Sequence, residues 1–257
     1  MRLRTISSLL FATSATVTIV WGSSMVAMGG MPMPGGWTMS MAWMRMPGQS
    51  FAYMAMSFLG MWVVMMMAMM LPSLVPMLRR YREVVGSIAG ARLGWLTALV
   101  GAGYFFVWVL LGVAAFPLGV ALAEMEMQRP ALARAVPIAS GVVLLVAGAF
   151  QFSTWKARHL ACCRYESAPV APLRLDPGTA WRHGIRLGVH CSSCCGNLIL
   201  ILLVIGVMDL RAMTVVTAAI TTERLAPAGE RVARAIGAVC AGAGMVLLAR
   251  AAGFGSG

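Results

Sequence analysis

Seven apolar runs divide the chain, at residues 6–28, 51–78, 95–117, 137–154, 184–208, 211–226 and 232–251, separated by short stretches rich in arginine, proline or glycine. Most are close to the roughly 20 residues that an α-helix needs to cross a bilayer. Within them the apolar character is continuous rather than alternating, as expected of helices bordered by lipid and by other helices. The pattern predicts an all-α fold, a polytopic transmembrane helical bundle of six or seven spans making a single domain over residues 1–257. The 211–226 run is short, carries Thr214, Thr217, Thr221 and Thr222, ends at Glu223 and reads as a half-span. Residues 1–28 have the basic start and apolar run of a signal sequence, but the run exceeds the usual signal length and is read as the first span.

Composition agrees: 60% of residues are hydrophobic, 11% are charged and the mean hydropathy is +0.83. An ordinary soluble domain carries about 25% charged residues, so soluble, disordered and fibrous classes are excluded and the partner is a lipid bilayer. The net charge of +12 would suggest nucleic acid in a soluble protein. Here the basic residues alternate between loops, so no nucleic-acid partner is expected. Arg2 and Arg4, then Arg79, Arg80, Arg82 and Arg92, then Lys156 to Arg182, then Arg224, Arg231 and Arg234 occupy every second connection. Because cytoplasmic loops retain Lys and Arg, these connections and the N-terminus are assigned to the cytoplasm. Residues 29–50 then form an outward loop and residues 155–183 a cytoplasmic one.

Sulfur is distributed unevenly. Of 23 methionines, 18 fall within the first 77 residues. Met is a pliable apolar residue, and for Met54, Met56 and Met61 packing is reason enough. Met31, Met33, Met39, Met41, Met44 and Met46 instead crowd a Gly- and Pro-rich outward loop with no evident core to fill. Thioether sulfur is soft and selects Cu(I) over hard cations, and the paired spacing lets two or three sulfurs reach one ion, with Trp37 and Trp43 as candidate cation-facing rings. In the second span Met54, Met61, Met65 and Met69 share one helical stripe, and Met66, Met70 and Met77 a neighbouring one. Both a soft packing seam and an ion path fit that stripe. Pro72 and Pro76 are expected to kink or open the helix.

Five of the six cysteines fall in two clusters, His159, Cys162 and Cys163 in the cytoplasmic loop and His190, Cys191, Cys194 and Cys195 about two turns into the fifth span. The cytoplasm is reducing, so disulfides are not expected. Cys191, Cys194 and Cys195 are spaced three and four apart and His190 precedes Cys194 by four, so one helix face carries all four. Thiols with imidazoles suit Cu(I) or Zn(II); the methionines favour Cu(I). Lys156, Arg158, Arg164 and Arg186 are candidate counter-charges for a metal thiolate, as well as topological anchors. Gly184, Gly188 and Gly196 are places where the helix could bend around an ion. Asn197 is placed to bond a ligand or join helices, and Cys240 reads as a small packing residue.

Three blocks resemble the bacterial family of predicted metal-binding integral membrane proteins: Trp62 to Ser73; Lys156, His159, Leu160, Cys163 and Arg164; and Cys191, Cys194 and Cys195 followed by Met208, Met213 and Glu223. His159 stands where that family has its first Cys of the element, Cys162 is an added thiol, Ser193 replaces Gly and Gly196 replaces Trp. The resemblance implies metal binding in the bacterial inner membrane.

The expected function is Cu(I) binding for uptake, transfer or homeostasis, without catalysis: an outward Met loop feeds Met65, Met66, Met69 and Met70 and then the Cys and His cluster. The protein would deal with a copper chaperone or a copper enzyme. The alternative is a membrane thiol-disulfide oxidoreductase using the same cysteines.

Overall fold

The computed structural model describes residues 2–27, 29–44, 48–85, 90–165 and 176–253. Among them are eight α-helices and one short hairpin: α1 (Arg2–Ala27), β1 (Met31–Met33), β2 (Trp37–Met39), a 3-10 turn (Met41–Trp43), α2 (Phe51–Val85), α3 (Gly90–Gln128), α4 (Pro130–Phe150), α5 (Thr154–Tyr165), α6 (Pro177–Ile205), α7 (Leu210–Leu225) and α8 (Gly229–Ala251). Six of them, all but α5 and α7, are long and apolar enough to cross a membrane. Their outer faces carry large apolar residues such as Leu9, Val146 and Val239 in the open, a surface suited to lipid rather than water.

Each predicted helix is present, with shifted ends. α4 starts seven residues earlier than the apolar run because Pro130 occupies its first turn, where a missing N–H costs nothing. α6 starts at Pro177, its first turn capped by the Asp176 carboxylate, which accepts from Thr179 N at 2.9 Å. α7 is short, its 16 residues rising only about 24 Å. Residues 154–165 are helical rather than loop; the Ser153 hydroxyl accepts from Lys156 N at the start of α5. α2 continues through both Pro72 and Pro76.

Helix directions alternate as expected. Gly22 of α1 meets Leu210 at the start of α7, Trp62 of α2 meets Gly112 of α3, and Gly141 and Gly148 of α4 meet Leu248 and Gly237 of α8 in reverse order. α3 and α6 run parallel, Val100 beside Gly184 and Tyr104 beside Gly188. One end of the bundle therefore carries the hairpin and the other carries α5 together with Arg79, Arg80, Arg92, Arg182 and Arg234. The core centres on α2, which contributes Met54, Met61, Met65, Met66, Met69, Met70 and Met77 to it.

The Met-rich segment between α1 and α2 is more structured than its composition suggests. β1 and β2 pair antiparallel with Met31 opposite Met39 and Met33 opposite Trp37, around a turn in which Gly35 and Gly36 adopt positive φ of 106° and 76°. This face lies on the bundle: Trp37 Nε1 donates to Ala133 O at 2.8 Å, and Met39 is buried.

Candidate metal centre

The longer start of α6 moves its cysteines to the middle of the helix rather than two turns in. Trp181, Arg182, His183 and Arg186 dilute the hydropathy of the first turns, so the apolar run begins late while the helix does not. Cys191, Cys194 and Cys195 are completely buried. Cys195 lies within hydrogen-bonding reach of both Cys191 and Cys194.

Around Cys191 three other helices converge. The Tyr104 hydroxyl of α3 donates to its Sγ at 2.9 Å, an Arg224 guanidinium nitrogen of α7 donates to it at 3.0 Å, and the thiol itself points to Met70 Sδ of α2 at 4.0 Å. A second guanidinium nitrogen of Arg224 approaches Met77 Sδ at 3.8 Å. Small residues make this convergence possible. Gly184 takes the Val100 carbonyl directly against its Cα, and a Cβ on Gly188 would stand 2.8 Å from the Tyr104 carbonyl. These glycines let two backbones touch, and α6 is helical through both. Gly196 has open space at its Cβ position.

Beside Cys194 sits a buried ionic group. Lys156 Nζ donates to the Cys194 carbonyl at 2.6 Å and to Glu223 Oε2 at 2.8 Å, and Gln151 Nε2 donates to Glu223 Oε1 at 2.7 Å. Lys156 and Glu223 are almost wholly enclosed. Charges buried so deeply persist only when paired, and this pairing ties the end of α4, the start of α5, the middle of α6 and the end of α7 together. Of the candidate counter-charges, Lys156 reaches the cysteine segment. Glu223 pairs with Lys156, not with its neighbour Arg224, which turns to Cys191. Tyr104, Gln151 and Arg224 are the partners that sequence reasoning missed. The signal available was an aromatic hydroxyl, an amide and a cation standing alone beside or within apolar runs.

The remaining candidates are distributed as follows. His159 stacks on Trp155 at 3.8 Å between ring centroids, and its Nδ1 lies 2.9 Å from the Trp155 carbonyl. His190 is half-buried on α6. The side chains of Cys162 and Cys163 and the whole of Met46 lie outside the described residues. Asn197 joins helices, its amide 3.4 Å from the Ala147 carbonyl of α4, and Cys240 packs half-buried against the core. Met65, Met66, Met69 and Met70 are buried on α2, as are Met54, Met61 and Met77. Met31 is 38% exposed, Met33 is half-buried, and Met41 and Met44 line a cavity with Met25, Met54, Met61 and Met208. Trp43 packs on Phe58 at 5.1 Å and against Gly119.

Among the described residues no three His, Cys, Asp or Glu side chains are grouped so as to hold a metal ion. The soft donors that do meet are of mixed kind, the Cys191 thiol and the Met70 thioether, with Cys195 beside them. Such a set is poor in the oxygen and nitrogen ligands of hard metals and rich in those preferred by Cu(I).

No curated protein and no solved structure matches the chain. Residues 59–247, from α2 to α8 and including every cysteine, match the family model described as copper chaperone, and the chain belongs to this PpoB2 copper-chaperone family.

Proposed function

We propose that the protein is a membrane-embedded Cu(I) carrier of the inner membrane that takes the ion from the hairpin end, passes it along α2 and holds it at Cys191 and Met70, with Cys194 and Cys195 drawn in as the ion binds. The observation that carries this reading is the contact of the Cys191 thiol with Met70 Sδ, where the methionine series of α2 meets the cysteines of α6. Met54, Met61, Met65 and Met69 follow one another down one buried side of α2 in steps of one or two turns, and Met70 adjoins Met69, about 24 Å from the first. Shallow thioether sites spaced in this way exchange an ion by replacing one sulfur at a time, which permits passage where a single tight site would not.

At the inner end Arg224 supplies positive charge beside Cys191. A Cu(I) ion brings its own, so binding releases the thiol proton and frees Arg224 to turn aside. His159, His190, Cys162 and Cys163 are proposed as acceptors on the way out, with Zn(II) the competing metal for a nitrogen-containing set. The positive charge of the arginine-rich α5 end supports a cytoplasmic side for it, and with it for the N-terminus. A copper chaperone or copper enzyme on that side is the proposed recipient. Membership of a copper-chaperone family favours this reading over thiol-disulfide exchange.

The test is Cu(I) binding by detergent-purified protein under reducing conditions, beside the Cys191→Ser/Cys194→Ser/Cys195→Ser variant. The near-ultraviolet absorption of Cu(I)-thiolate bonds should fall in the variant to what Cys162 and Cys163 contribute, with affinity at the buried site falling by more than about 100-fold. An undiminished thiolate band would remove these cysteines from the metal site.

A further inference from the structure

The hairpin end holds a feature that neither the cysteine centre nor the family match accounts for. Between α1, the 3-10 turn, α2 and the α6–α7 connection lies a cavity of about 180 Å³. Six methionines line it, Met25, Met41, Met44, Met54, Met61 and Met208, and its wall includes no carboxylate, imidazole or thiol. Four of the six precede the stretch matched by the family model.

The wall is anchored. Trp43 sits between Met41 and Met44 in sequence, and its ring is fixed against Phe58 and Gly119. The Ser40 hydroxyl accepts from Ala42 N and caps the turn. Met54 and Met61 lie two turns apart on the buried side of α2, whereas Met56, between them, is 69% exposed. A cavity serving only as apolar filler has no reason to draw sulfur from four separate chain segments while leaving valine, leucine and isoleucine out of its wall.

We propose that this cavity is a second soft-metal site, a thioether cage that takes Cu(I) before it moves along α2. The inference rests on the copper reading above and adds the site at which the ion is first held. Uncharged sulfur excludes Mg(II), Ca(II) and Zn(II) for want of hard or anionic donors, and admits monovalent soft ions. Thioethers do not form disulfides, so the site keeps its ligands in an oxidising compartment. Met61, four residues before Met65, then begins the passage inward.

The experiment uses the full chain in detergent with all six cysteines replaced by Ser, so that thioethers are the only sulfur ligands left. Ag(I) and Cu(I) are titrated separately, with X-ray absorption to identify the donors. About one equivalent should bind with sulfur-only coordination and no thiolate band, and Zn(II) should not compete. Adding Met54→Leu, Met61→Leu and Met208→Leu should weaken binding at least about tenfold. Met41→Leu with Met44→Leu, which leaves the helices untouched, should do the same and guards against loss of fold. No binding by the cysteine-free protein, or affinity indifferent to both sets of leucines, would overturn the cavity site. The cysteine centre would stand in that case if the parent protein still showed its thiolate band; absence of both signals would overturn both readings.

Discussion

The two ends of the sulfur series solve different physical problems. At the hairpin end the cavity is walled by thioethers, aromatic rings and uncharged polar groups. At the other end Cys191 is held by a guanidinium and a phenol, and Cys194 abuts a buried Lys156–Glu223 pair. A thioether site needs no counter-charge because neither ligand nor empty cavity is ionised. A thiolate site in an apolar bundle does, since an unpaired charge there is prohibitive. The charged end is therefore tightly specified by partners on four helices. The thioether end is specified mainly by volume.

That contrast is sharpest in tolerance to substitution. Glu223→Gln removes the acid from beside Lys156 and leaves an enclosed ammonium with the Cys194 carbonyl and an amide. Loss of one partner of a buried pair costs about 3–5 kcal/mol. The variant should lose stability by that order in thermal unfolding in detergent. Met54→Leu, a near-isosteric change in the cavity wall, should cost less than about 1.5 kcal/mol. Equal losses from the two changes would break the distinction between a charge-specified and a volume-specified end.

A smaller effect separates packing from charge at the cysteine centre. In Gly184→Ala the added methyl meets the Val100 carbonyl, and two backbones must part. Overpacking of this kind costs about 1–3 kcal/mol. Because α3 carries Tyr104 with it, the hydroxyl leaves Cys191. Losing one neutral hydrogen bond, about 1 kcal/mol, should change Cu(I) affinity there several-fold. Ag(I) binding at the hairpin-end cavity should be unaltered. A variant with normal stability would show that α3 and α6 do not depend on this contact.

The sequence revealed helices and sulfur well and partners poorly. Hydropathy runs exposed seven helices because each apolar stretch is local. It delayed the start of α6 by seven residues because its first turns carry Arg182, His183 and Arg186, although Asp176 and Pro177 signal a helix start. α5 was read as loop for a related reason: it has charged residues and little apolar surface, yet Ser153 offers a cap. The stripe of α2 was legible from 100° periodicity, and all its candidate methionines are buried. Lys156 with Glu223, Arg224 with Cys191 and Tyr104 with Cys191 were not legible, since these pairs lie 67, 33 and 87 positions apart and no periodicity links them. Gly184 and Gly188 stand out in the sequence but their close contact with α3 does not, because a glycine that permits bending and one that admits a neighbouring backbone look identical in one dimension.

The smallest expected effect lies outside both sulfur regions, at the cap of α6. Hydrogen bonds from the Thr179 hydroxyl and amide hold the Asp176 carboxyl below its ordinary range. A depressed carboxylate stabilises the folded chain above its unfolded value and ceases to do so as pH falls through the folded one. Asp176→Ala should therefore lower the melting temperature slightly at pH 7, and the gap from wild type should close as the solution is taken below the usual carboxylate range. Asp176 is half-buried and stands four turns before Cys191. Copper bound at either end should consequently be the same in both proteins. A melting-temperature gap that persists in acid would assign the effect to lost cap geometry rather than to charge, and altered copper binding would mean that the first turn of α6 sets the position of its cysteines.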